Sequence, residues 1–322
     1  MTQPTKNQET VSYRDTLKSM DTEEHIDLWF YRPIGYAWAL LARRLGVTPN
    51  AITIASIFLG VAAGVCFYYP QMWINVVGML LLIWANSFDS ADGQLARMTK
   101  QYSRIGRILD GMAGDLWFVT IYFAICFRLV ITPDDPLLGD FCMRYQWVVW
   151  TFATVTGFCH AQQAALADYY RNFHLFFLKG KDGSELDSSA KVKEKFTELS
   201  WSKNFFSKLV TAFYLNYTKG QERLTPNMQR LRAALAERWG DAPAPQEFRD
   251  AFRAKSLPLM KYTNMLSFNT RVIALFVSLF LRMPWLYFAF EFTVLNIMLV
   301  YMICRHESFC GKFAQEIKDG KY

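Results

Sequence analysis

Six apolar stretches constrain this chain more than any other feature: Ala51 to Tyr69, Met72 to Phe88, Leu116 to Val130 extended backward to Ile108, Trp147 to Leu166, Val272 to Leu286 and Tyr287 to Cys304. A helix crosses the hydrocarbon of a bilayer with about 20 predominantly apolar residues, and each run approaches that length. The alternative, buried helices of a large soluble protein, is the lesser reading. The expected fold is all-α, a polytopic membrane bundle of six transmembrane helices with an interfacial amphipathic helix before the first.

The polar segments between these runs divide the chain. Residues 1–20 are polar and expected to be mobile. Within 21–46, Asp21 is a candidate N-cap, and Ile26, Trp29, Phe30, Pro33, Tyr36, Ala37, Leu40 and Leu41 form an apolar face ending at Arg43-Arg44. Such a helix lies in the interface rather than across it. Residues 47–172 hold four spans, 173–264 read as a cytoplasmic helical insertion, 265–304 hold two more spans, and 305–322 form a cytoplasmic tail. Gly60 and Gly64 in the first span have the small-x-x-x-small spacing of close helix packing.

The second run ends on Asp89-Ser-Ala-Asp92-Gly93-Gln-Leu-Ala96-Arg97, and the chain continues through Gly106 to Asp110 and Asp115. Four carboxylates at a membrane boundary are costly unless paired or metal-bound. On a helix, Asp89 and Asp92 fall about 60° apart, close enough for one cation to bridge. Gly93 and Ala96 leave room for a ligand beside the backbone, and Arg97 suits phosphate. A second helix brings in Asp110. Oxygen donors without His or Cys suit Mg²⁺, Mn²⁺ or Ca²⁺ rather than zinc, and such a site favours displacement at phosphorus.

The pattern D-x-x-D-G-x-x-A-R, eight residues, then G-x-x-x-D, resembles the signature of the CDP-alcohol phosphotransferase family, integral membrane enzymes of phospholipid synthesis. The resemblance implies that the first three acids, Asp89, Asp92 and Asp110, hold a two-metal centre of Mg²⁺ or Mn²⁺, with Asp89, Gly93, Ala96 and Arg97 at the nucleotide. It implies that a fourth acid completes the metal set and acts as general base. The family spacing places that acid at position 114, which here is Gly114; the acid is Asp115. On a regular helix this moves the carboxylate from about 40° to about 140° away from Asp110. A π-bulge through Gly111-Met-Ala-Gly114 would restore it, and on that expectation Asp115 is the catalytic base. Arg32-Pro33 and Thr48-Pro49-Asn50 with Thr53 are similar to the family's approach to its first span.

Net charge is +7, and its placement is informative. With a cytoplasmic N-terminus, Arg43, Arg44, Lys100, Arg104, Arg107, the basic segment Arg171 to Lys261 and the tail lysines fall on one side. Little beyond Arg128, Arg144 and Arg282 falls on the other. The positive-inside rule then puts the aspartate motif at the cytoplasmic face. The basic patches suit anionic lipid headgroups, and no nucleic-acid motif accompanies them. Six cysteines without C-x-x-C spacing read as packing residues.

Arg104, Arg171 and Arg271 are the candidate acceptor-binding cations; Arg171 alternatively pairs with Asp168. His160 reads as a packing histidine, Glu291 as an interhelical hydrogen-bond acceptor, and Asp134, Asp135 and Asp140 as solvated loop acids. Gln101-Tyr-Ser-Arg-Ile-Gly106-Arg-Ile-Leu-Asp110 is similar to a run in the phosphatidylinositol-synthase branch. The implied reaction takes a substituted phosphate from a CDP-linked donor, foremost CDP-diacylglycerol, to inositol or inositol phosphate, releasing CMP. Alternatives are a CDP-ethanolamine or CDP-choline headgroup transferase acting on a lipid alcohol, a divalent-cation transporter, and an inactive scaffold. The resemblance also implies a homodimer.

Overall fold

A computed structural model describes residue 13 and residues 19–102, 104–132, 134–179, 186, 188–202, 204–240 and 242–322; of residues 104, 105, 107, 108, 178 and 179 it describes the backbone alone. Most of the stretch 1–20, expected to be mobile, lies outside the described residues. Among the described residues every regular element is helical.

A π-turn, Asp27–Tyr31, leads into α1 (Arg32–Leu45), which stops where Gly46 turns left-handed at φ 70. Glycine takes that conformation without a Cβ penalty, and Arg43 and Arg44 sit favourably at the negative end of the helix dipole. Thr48 caps α2 (Pro49–Cys66), its side chain accepting from the Ala51 N–H, while Pro49 supplies the preset φ of a first helical residue. α3 (Met72–Thr99) has 28 residues, about 42 Å at 1.5 Å per residue, longer than the hydrocarbon is thick. Its last turns, which carry Asp89 to Arg97, therefore emerge from the apolar layer. α4 (Arg104–Ile131) returns, followed by short α5 (Gly139–Arg144) and α6 (Gln146–Lys179).

Next come α7 (Ser189–Glu198), α8 (Phe205–Leu224), α9 (Pro226–Trp239) and α10 (Gln246–Met265). After these run α11 (Phe268–Phe280), α12 (Trp285–Phe290), a π-turn over Glu291–Leu295, and α13 (Asn296–Lys318). Two compact units result: Met1–Ala153 with Leu275–Leu286, and Thr154–Ala274 with Tyr287–Tyr322. In the first, α2 packs on α3 and α4, and α1 on α3. In the second, α13 packs on α9 and α10 around a core that includes Tyr170, Phe173, Phe248 and Phe252.

Among the described residues five helical segments are long and apolar enough to cross a membrane: Pro49–Cys66, Met72–Thr99, Leu109–Ile131, Gln246–Phe280 and Trp285–Lys318. The expected count of six is not reached. The missing segment is α6, expected to hold the fourth span: it is a continuous helix, but His160, Gln162, Gln163, Asp168 and Arg171 dilute its apolar character. Phe58, Leu80, Phe123, Ile273 and Ile297 stand exposed, one on each of the five segments, as side chains facing hydrocarbon do, while Ser56, Asn75 and Arg128 are buried.

The far-side loop departs from expectation. Asp134 is not simply solvated: it accepts from Arg128 NH2 at 2.5 Å and Nε at 3.0 Å. Arg128 is fully buried and also donates to Asn75 Oδ1 and the Phe67 carbonyl. Asp135 is buried as well, accepting the N–H groups of Leu137 and Leu138 ahead of α5. A buried guanidinium requires an anion, which the next loop supplies.

Candidate active site

Asp89 and Asp92, three residues apart near the end of α3, share a face because the helix stays regular there. α4 begins at Arg104 and brings Asp110 alongside. The result is a group of three carboxylates, each with an oxygen within 4.8 Å of the others'. Asp92 is buried, Asp89 half-buried and Asp110 exposed, so the group opens at one side. Three negative charges at this spacing repel strongly unless a cation lies between them. The donors are all oxygens and one is anchored, which fits Mg²⁺ or Mn²⁺.

The anchor comes from α2. Thr53 donates its hydroxyl to Asp92 Oδ2 at 2.5 Å, fixing one oxygen and leaving the other to the cluster. α2 itself is held by two glycines. A Cβ on Gly60 would meet the Trp117 ring at 2.1 Å, and one on Gly64 would meet Thr120 at 2.8 Å. Close packing at these glycines, expected from their spacing, is what sets α2 against α4. Gly60→Val is expected to lower stability by about 1–3 kcal/mol through overpacking, read as a fall in thermal midpoint in detergent. An unchanged midpoint would show that Trp117 can move aside.

From the other side α1 closes on α3 through Gly35, where a Cβ would lie 2.9 Å from Ser90 Oγ and 3.1 Å from the Ala91 nitrogen. Arg32 adds a clasp: its Nε pairs with Glu23 Oε2 at 3.0 Å, its NH1 reaches Ser90 Oγ at 3.4 Å, and its carbonyl accepts from Gln94 Nε2 at 3.1 Å. Beside it, burial pushes the Tyr31 phenol up to about 12, so that ring stays neutral. Gly93 shows its bare face to the Arg97 guanidinium, NH1 lying 3.4 Å from where a Cβ would be. Gly93, Ala96 and Arg97 are half-buried along the same turns.

Residues 46–170 match the sequence model described as CDP-alcohol phosphatidyltransferase. An archaetidylinositol phosphate synthase of Pyrococcus horikoshii is 31% identical over 104 residues, 31% of this chain and 54% of the relative. The chain thus spans about half the length of the curated relative it matches. No solved structure matches the chain significantly.

The matched segment covers α2 to α5 and most of α6, and α7 to α13 lie beyond it. Within it, the fourth acid stands apart. α4 is regularly α-helical from Arg104 to Ile131, without the expected π-bulge, and Asp115 is exposed outside the three-carboxylate group. The bulge is absent because nothing in the Gly111–Gly114 turn strains the helix: a Cβ on either glycine would meet nothing within 4 Å.

Of the proposed acceptor-binding arginines, Arg104 starts α4, with only its backbone described. Arg171 belongs to the second unit, where its NH2 donates to Asn264 Oδ1 and Ser267 Oγ. Asp168 takes Asn172 and Tyr217 instead. Arg271, also in the second unit, is buried. It donates to Glu291 Oε1 at 2.7 Å, Gln163 Oε1 at 3.0 Å, His160 Nδ1 at 2.7 Å and the Leu266 carbonyl at 3.1 Å. Contact with an acceptor phosphate would require Arg271 to exchange these partners.

Sequence reasoning gave no role to Glu23, Gly35, Ser90 or Gln94, and none to the hydroxyl of Thr53. Gly35, in the helix just after Arg32-Pro33, carried the one local signal: a glycine inside a helix asks for a packing reason.

Proposed function

We propose that this chain transfers a substituted phosphate group from a CDP-linked donor, foremost CDP-diacylglycerol, to the hydroxyl of inositol or inositol phosphate, releasing CMP. The observation that carries the reading is the three-carboxylate group on α3 and α4 inside the family segment. The run Gln101 to Asp110, together with the likeness to an archaetidylinositol phosphate synthase, favours the inositol acceptor over an ethanolamine or choline reaction.

In this reading the acceptor oxygen forms a bond to the donor phosphorus, the bond from that phosphorus to the CMP oxygen breaks, and CMP leaves with the electron pair. Mg²⁺ or Mn²⁺, two ions on the family pattern, would be held by Asp89, Asp92 and Asp110, with Asp115 joining them through a rearrangement of the Gly111–Gly114 turn, and would neutralise phosphate oxygens. Thr53 orients Asp92. Asp89, Gly93, Ala96 and Arg97 form the nucleotide side, where absent side chains admit the base and the guanidinium meets the diphosphate. Arg104, Arg171 and Arg271 are assigned to the acceptor. Asp115 accepts the hydroxyl proton. The site faces the cytoplasm, supported by the positive charge that gathers on that side, and the protein is a homodimer among membrane lipids, with no nucleic-acid partner.

The test is CMP release by the purified protein in detergent with Mn²⁺, offered each CDP donor with and without inositol, inositol phosphate, diacylglycerol and ceramide. Release dependent on CDP-diacylglycerol and an inositol acceptor is expected. Release with CDP-ethanolamine and a lipid alcohol would replace this reading by the headgroup reaction.

Asp115→Asn is expected to slow CMP release by about 10²–10⁴-fold, the range of a general base. Gly114→Asp combined with Asp115→Asn puts the acid about 40° from Asp110, into open space, and is expected to restore release. Full activity in Asp115→Asn alone would remove that residue from the mechanism.

A further inference from the structure

The aromatic face of α8 lies outside the family segment and outside every role assigned above. Phe206, Phe213 and Tyr217 fall within about 20° of one line along the helix. Phe206 is 80% exposed and Phe213 70%, and Trp201, Phe205 and Tyr214 stand exposed beside them. The opposite face, Thr211, Leu215 and Thr218, is buried. The helix thus buries Thr211, Leu215, Thr218 and Gln221 and turns its aromatic rings outward, an exposed patch water alone does not support.

α8 is fastened through α6 to one of the apolar segments. Gln163 of α6 donates to Asn296 at 2.8 Å, beside the exposed Ile297 inside the apolar segment Trp285–Lys318. Two residues further along α6, the Ala165 carbonyl accepts from Gln221 of α8 at 2.7 Å, and Asp168 accepts from Tyr217 at 3.2 Å. α8 is itself too polar to be among the helices apolar enough to cross.

Charge completes the picture. Residues 189–224 carry Lys191, Lys193, Lys195, Lys203, Lys208, Lys219 and Arg223 against Glu194, Glu198 and Glu222. Lys208 caps the aromatic turn, its Nζ 4.7 Å from the Phe196 ring and 5.4 Å from Trp201.

We propose that the α7–α8 segment docks on the bilayer, the Phe206–Phe213–Tyr217 face of α8 lying among lipid headgroups and upper acyl chains and the surrounding lysines meeting anionic phosphates. Aromatic side chains with basic flanks are the chemistry of an interfacial helix. The segment read from sequence as a cytoplasmic helical insertion is then a second membrane-surface element, placed after α6.

Nitroxide labels at Phe206→Cys, Phe213→Cys, Tyr217→Cys and Lys219→Cys, each in the full chain with Cys66→Ala, Cys159→Ala and Cys304→Ser so that only buried native thiols remain, test this in proteoliposomes containing phosphatidylserine. Collision with oxygen is compared with collision with a water-soluble nickel chelate. Labels at 206, 213 and 217 are expected to favour oxygen several-fold over the label at 219, which lies on the opposite side of the helix. The preference is expected to shrink in phosphatidylcholine alone and in Lys191→Gln/Lys193→Gln/Lys195→Gln. Equal nickel access at all four positions would overturn the proposal. So would dipolar broadening between single labels on different copies at 206 or 213, which would put a second chain on this face.

Discussion

Asp92→Asn is expected to reduce CMP release by about a thousandfold or more, since metal-held charge neutralisation is worth several kcal/mol and each tenfold in rate is about 1.4 kcal/mol. Asp92 is the buried member of the three-carboxylate group, held from α2 by Thr53. The variant keeps the volume of the side chain and removes one of three crowded negative charges, so the metal-free protein is expected to melt no lower than wild type. The rise in thermal midpoint on adding Mn²⁺ is expected to shrink, because a ligand stabilises the folded state only through its affinity for it. These paired readouts separate lost chemistry from lost fold. Thr53→Val should follow with a smaller loss, about tenfold, as the carboxylate loses one charge-assisted hydrogen bond. An Asp92→Asn protein that keeps wild-type release would place the reaction elsewhere.

Glu291→Ala is the second large effect. Glu291 is fully buried and Arg271 nearly so. Glu291 Oε1 accepts from Arg271 at 2.7 Å and from the Tyr287 hydroxyl at 2.8 Å. His160 Nδ1 lies 2.7 Å from Arg271 NH1 and 3.1 Å from Glu291 Oε1, so the ring sits against both members of the pair. Removing the carboxylate strands a buried cation, and breaking a buried pair costs about 3–5 kcal/mol. A fall of many degrees in thermal midpoint is expected for Glu291→Ala, with most of it recovered in Glu291→Leu/Arg271→Met, where neither charge remains. The double variant also tests the acceptor assignment. A raised KM for inositol or its phosphate in a protein of restored stability would show that Arg271 serves the acceptor, whereas an unchanged KM would leave it a structural residue. If Glu291→Ala melts like wild type, the guanidinium has found water or a different anion.

Both sites show where local pattern ends and packing begins. The aspartate motif was legible because its parts are close in sequence: Asp89, Asp92, Gly93, Ala96 and Arg97 lie on one helix, and helical geometry alone puts the two acids together. Asp110 was legible through its spacing from Gly106 and a resemblance. The membrane-bundle class was legible from hydrophobic run length, since the bilayer sets the same ruler for every helix. The count was not, because α6 mixes apolar length with buried polar groups, and whether such a helix crosses depends on its neighbours.

What this sequence determined by itself was therefore the all-helical class, the position of most apolar segments, and the three oxygen donors with the chemistry they invite. The tertiary structure decided the long-range partners. Thr53 meets Asp92 across 39 residues, Arg32 meets Ser90 across 58, and Arg271 meets His160 across 111 and Glu291 across 20. It also decided against the bulge that would have carried Asp115 to the face of Asp110. The physical reason is common to these cases. A helix fixes directions within a few turns, but which polar group finds its partner in a low-dielectric interior is set by the packing of whole helices; around the aspartates that packing is close at Gly35 and Gly64, where an absent Cβ lets a neighbouring backbone approach, and at Gly60, where it admits the Trp117 ring.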